Sequence, residues 1–165
     1  MYLSPAQLQV RLGLQELTRI VGARYVGGVN AEVLEAAINA EILDGYTPAL
    51  VETAQLALEF INQELASATS VINGYLAANG RYSLPLSQTV IDASPLAGIC
   101  YDLVRYQLMR AADDQTQRNY DLAMAKLRDI SKGVISLGEQ DPAGVSTTVH
   151  VGRSQSGWDF GGFGR

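Results

Sequence analysis

The sequence predicts a mainly α-helical protein: a small helical bundle with one long helix, followed by an extended Gly-rich C-terminal tail that holds a candidate β-strand. Three observations predict it. Helix starts of the Ser/Thr-Pro kind recur at Ser4-Pro5, Thr47-Pro48 and Ser94-Pro95. There a hydroxyl can accept one orphan amide, and a proline removes the need for another. Apolar residues step by three and four from Leu50 to Tyr75, which is one face of a helix. From Gly138 the helical spacing stops and glycine becomes frequent.

The elements follow in chain order. Ser4 as cap and Gln7 as its capping-box partner open a short helix over Pro5 to Leu12, broken by Gly13. Leu14 to Val21 reads as a second helix, stopped by Gly22, and Arg24 to Gly28 as a loop. Asn30 can cap a helix over Ala31 to Asp44, closed by Gly45. Thr47-Pro48 then opens the longest element. Its apolar face is Leu50, Ala54, Leu58, Ile61, Leu65, Ala68, Ile72 and Tyr75, and it runs to about Ala78, roughly 31 residues or ~46 Å. That length implies either a break near Asn62 to Ser70 or a helix that projects past the core. Gly80 ends it, and Pro85 keeps the next residues from resuming a helix. Tyr82, Leu84 and Leu86 are placed to pin this turn onto the following helix.

That helix runs from Leu96 to about Ala112, with Ile99, Cys100 and Leu103 inward. Asp113 to Thr116 reads as a polar turn. The last helix covers Gln117 to Ser131, with Tyr120, Ala123, Leu127 and Ile130 inward, and Gly133 ends it. Lys126, Arg128 and Lys132 near its end suit the helix dipole. In the tail, Ser146 to Val151 alternates β-branched residues, including Val149 and Val151, and can form one strand. The organisation is thus a helical domain over 1–137, with an inserted or extended helical segment over about 23–64, and a tail over 138–165.

Composition narrows the function. With 47% apolar and 18% charged residues, the chain suits a single globular core. Its net charge of −5 speaks against a free-standing nucleic-acid binder, which needs a cationic surface. A small helical DNA-binding or regulatory module starting at Pro5 to Val21 is the alternative reading, though Arg11 and Arg19 are a sparse grip on phosphates. One cysteine, Cys100, allows no internal disulfide and suits a reducing compartment. No secretory signal opens the chain and no stretch is long and apolar enough to span a membrane.

Catalytic chemistry finds few openings. His150 is the only histidine, and it lies in the tail. Cys100 sits on an apolar helix face and reads as an inert thiol. The carboxylate pairs Asp113-Asp114 and Glu139 with Asp141 read as solvated turns, so no metal and no cofactor is expected. Asp102 neighbours Arg105 and Tyr106 on one helix, either as a solvent-side pair or as a polar girdle at a subunit contact. In the tail, Trp158, Asp159, Phe160 and Phe163 place three aromatics within six residues. Such anchors on a flexible string suit a segment that orders on a partner.

Four phrases, in order, carry a resemblance. They are the N-terminal MY…L…R-x-G…EL of Met1 to Leu17, then Tyr75-Leu76 with Arg81-Tyr82-Ser83-Leu84-Pro85-Leu86. Cys100 to Leu108, CYDLVRYQL, follows, and last the helix from Asn119-Tyr120 through Gly133 to Leu137. Together these resemble the head–tail adaptor (connector, head-completion) proteins of Mu-like tailed phages, over about Met1 to Val21 and Ala66 to Leu137.

The resemblance implies a structural virion protein at the head–tail junction, made in the host cytoplasm. It implies a homo-oligomeric ring, commonly of twelve copies, beneath the portal protein. The ring bridges the portal to a tail-side head-closure or tail-terminator protein. Genomic DNA passes through its lumen without sequence-specific contact, and no membrane is involved. No catalytic residues are carried over. Tyr75, Arg81, Tyr82, Pro85, Asp102, Arg105 and Tyr106 are carried over as structural or subunit-contact positions. The segment from Ala23 to Glu64 departs from the family pattern and suggests a hairpin arm that touches a neighbour.

Overall fold

The computed structural model describes residues 1–78, 80, 82–109 and 111–138. They hold helices α1 (Pro5–Leu12), α2 (Leu14–Gly22), α3 (Ala31–Ile38), α4 (Pro48–Ala77), α5 (Gln88–Ala93), α6 (Leu96–Leu108) and α7 (Asp114–Ser131). No strand occurs among the described residues. The candidate strand of the tail lies outside them.

The N-terminus is closed by local chemistry. Ser4 Oγ accepts from the Gln7 amide at 3.2 Å, and the Gln7 side chain accepts from the Ser4 amide at 2.9 Å. This is the reciprocal capping box expected from Ser-Pro-Ala-Gln. Leu3 and Leu8, buried at 1% and 0% exposure, occupy the flanking positions of a hydrophobic staple. Tyr2 is buried as well, and its hydroxyl donates to Asn73 Oδ1 on α4. The first residues are thus fastened to the long helix before α1 begins.

α4 is unbroken, at 30 residues or about 45 Å, and it is the spine of the fold. It packs against α1, α2, α3, α6 and α7, while α6 and α7 also pack on each other. Its buried track is Ala54, Ala57, Ile61, Leu65, Ala68, Ile72 and Leu76. This corrects the expected face at three places. Leu50 is 38% exposed, while Leu58 and Tyr75 are only half-buried, displaced by Ala57 and Leu76. Helices that cross closely bury alanine and turn larger neighbours to the rim. Each fully buried Leu or Ile along the track contributes about 1.5–3 kcal/mol relative to exposure.

Several boundaries differ from expectation, each for a local reason. α3 stops at Ile38 rather than Asp44. Ala40 has φ +56, its amide donates to Ala37 O at 3.2 Å, and the Glu41 amide donates to Ala36 O at 2.9 Å. That pair of bonds is a Schellman stop. α6 ends at Leu108, because Met109 turns to an extended conformation with ψ 136. α7 begins three residues early, because Asp113 caps it: Oδ1 accepts from the Thr116 amide at 2.6 Å. The supposed polar turn is therefore a cap and a first helical turn. α5, capped by Ser87, has no counterpart in the sequence reading. It buries Ile91 alone, too little to leave a periodic trace.

The α4–α5 connection carries the Tyr82 to Leu86 phrase. Gly80 takes φ +61 and the Leu84–Pro85 peptide is cis. Tyr82 and Leu86 enter the core, at 4% and 7% exposure, as expected. Leu84 does not, at 37%. Leu137, beyond α7, is buried at 5% and holds the chain after α7 onto the core.

Candidate functional site

The polar group on α6 arises because one helix carries both an inner face and a mixed rim. Leu96, Ile99, Cys100, Leu103, Val104 and Leu108 are buried. Asp102, Arg105 and Tyr106 fall between that face and solvent, and all three are half-buried. Of the two readings of this group, the Asp102–Arg105 ion pair is not formed: among the described residues the one ion pair is Arg19–Glu16, at 2.8 Å. Arg105 Nη1 instead donates to Tyr101 Oη at 3.5 Å, and its Nε is buried without a hydrogen-bond partner. Burial pushes the Asp102 carboxyl above the usual aspartate range, against the opposing pull of Lys126, Arg105 and Arg11.

Tyr106 is brought onto α7. Its ring stacks on Tyr120 with centroids 4.3 Å apart and planes at 27°, a contact that adds to the burial of both rings. Below it, Gln107 Nε2 donates to Ser67 Oγ of α4 at 3.4 Å. Gln107 Oε1 and Thr69 Oγ1 are buried without partners. The α4–α6–α7 seam is therefore polar along its rim and apolar within.

The remaining motif residues are spread. Tyr75 is half-buried on α4, Tyr82 is in the core, and Pro85 is exposed. Tyr75 lines a shallow groove of about 270 Å³ with Ser70, Val71, Gly74 and Ala78. Arg81, Val149, Val151, Trp158, Asp159, Phe160 and Phe163 lie outside the described residues, as does His150. Cys100 is buried, and burial pushes its thiol up to about 12. No group of three or more His, Cys, Asp or Glu side chains that could hold a metal occurs among the described residues. No helix among them is long and apolar enough to cross a membrane.

One functional-looking residue escaped the sequence reading. Arg24, in the loop after α2, sits over the Phe60 ring at 4.0 Å and donates from Nη2 to Leu108 O at 3.4 Å. It joins the α2 loop to α4 by a cation–π contact and caps an orphan carbonyl of α6. Its partners Phe60 and Leu108 are 36 and 84 residues away along the chain, so no local signal marks it.

Fold and surface together define a mainly helical protein whose distinctive polar groups, among the described residues, lie on helix rims and loops. The chain belongs to the Bacteriophage Mu Gp36 family, whose model matches residues 2–155. Membership makes it a Mu-like phage protein and points to a structural or morphogenetic role. The match includes the 23–64 segment that the motif resemblance had set apart. Among curated proteins nothing matches, and among solved structures nothing matches either.

Proposed function

We propose that the chain is a head–tail adaptor subunit of a Mu-like virion. Copies form a ring beneath the portal, which bridges it to a tail-side protein and encloses the DNA channel. The observation that carries the reading is the family match, which spans all seven helices and runs into the tail. The ordered motif phrases support it, as do the half-buried Asp102, Arg105 and Tyr106, a rim suited to a subunit contact. Twelve copies are the number the resemblance implies. Trp158, Phe160 and Phe163 lie beyond the matched span, so the docking role assigned to them rests on their composition.

The tail supplies the test. Deleting residues 154–165 leaves the helical domain folded by circular dichroism, and portal attachment is lost in a pull-down with the phage's own portal. Truncated chains that still attach and yield normal virions contradict the docking assignment.

A further inference from the structure

Charge on this chain is sorted by segment. Residues 31–80 hold seven carboxylates and no Lys or Arg, a net of −7, so the remainder nets +2 within the total of −5. Among the described residues the only ion pair, Arg19–Glu16, lies outside that segment. The α3–α4 acids are not neutralised by ion pairs within the described chain.

Two helix stripes carry this asymmetry outward. On α4, Glu52, Leu56 and Glu59 follow one another by four and three residues, and all are exposed. They lie about half a turn round the helix from the buried track. On α7, Arg118, Leu122 and Lys126 follow by four and four, and all are exposed. Leu56 is 47% exposed and Leu122 59%. Each stripe is thus a leucine between two like charges, and the signs are opposite. α7 as a whole is charge-balanced, with Asp114, Asp121 and the half-buried Asp129 against Arg118, Lys126 and Arg128, so its cationic character is that of the Arg118–Lys126 stripe alone. Asp121 is engaged by Gln117 at 3.1 Å.

We propose that the Glu52–Leu56–Glu59 stripe of one copy docks on the Arg118–Leu122–Lys126 stripe of the next. The leucines meet at the centre and leave water, and the flanking charges steer the encounter and set the register. The two stripes are different surfaces of one chain, both open at once. Within a ring their pairing is heterologous: each copy offers its acidic stripe to one neighbour and its basic stripe to the other. Such a contact closes into a ring when the rotation per copy divides a full turn. This rests on the ring-subunit reading and adds which surfaces meet, and with what polarity.

The test uses the full-length chain, with oligomer mass measured by native mass spectrometry and sedimentation at high protein and low salt. Glu52→Lys with Glu59→Lys in one variant, and Arg118→Glu with Lys126→Glu in another, each weaken self-association about tenfold or more. Mixed in equal amounts, they restore it, because a reversed arm of one meets a reversed α7 of the other. Leu56→Ser and Leu122→Ser, which leave every charge in place, weaken association too. If all these variants fold and associate like the parent, the ring stands and this interface is wrong. If the folded charge variants are weak alone and equally weak mixed, the pairing is wrong. A parent chain that stays monomeric both free and on the portal overturns the ring reading together with this interface.

Discussion

Asp102 is a residue whose charge the folded monomer disfavours. Burial raises its pKa despite three cations around it, so its ionised form lowers the stability of the isolated chain at neutral pH. Asp102→Asn is predicted to leave the melting temperature of the monomer unchanged or higher, while weakening assembly if the rim serves a subunit contact. A lowered melting temperature contradicts this. Tyr2 and Cys100 make a second titration test, since burial raises each to about 12. Unfolding returns the thiol to about 9 and the phenol to about 10, so above those values the unfolded chain sheds protons that the native chain retains. Stability is complete below about pH 9 and falls as pH rises toward 12. Urea midpoints measured from pH 8 to 11 should decline, and the decline should be shallower in Cys100→Ala. A flat profile in the parent counts against the burial of both groups.

At the scale of elements, two helices end by the same device with different residues. α7 ends on Gly133 at φ +76, whose amide donates to Ile130 O at 3.0 Å while the Val134 amide donates to Asp129 O at 2.8 Å. α3 ends on Ala40 in the same left-handed region, where a Cβ costs roughly 1 kcal/mol. Ala40→Gly is therefore predicted to stabilise the chain by up to about 1 kcal/mol, and Gly133→Ala to destabilise it by about as much. Urea titration measures both. A destabilised Ala40→Gly would mean that α3 continues past Ile38. The same contrast explains what was legible. Gly133 announces a stop, and α7 ends at Ser131 as the sequence predicts. Ala40 announces nothing, and Ile42 and Leu43 beyond it imitate helical spacing, so the sequence predicts an α3 six residues longer than the helix that forms. α4 was legible as an element because its apolar steps persist for many turns. Spacing and size predict Leu58 and Tyr75 on its inner face, whereas the buried track takes Ala57 and Leu76 in their place. The rim contacts were not legible in detail: Tyr106 is placed on Tyr120, and Arg105 on Tyr101, by the relative rotation of packed helices, which no spacing within one helix reports.

For the whole molecule, the segregation of charge is as informative as the core. A chain that nets −7 across one segment and +2 elsewhere carries exposed stripes of opposite sign, Glu52–Glu59 on α4 and Arg118–Lys126 on α7, which can pair between copies. Such association should weaken steeply with salt, because its charges lie on exposed helix faces. The most direct measurement is the mass and symmetry of the particle that the full-length chain forms with the portal of its own phage. The account predicts a closed ring of copies seated on the tail-facing side of the portal, twelve if it follows the expected symmetry. A chain that remains monomeric and leaves the portal unoccupied contradicts it.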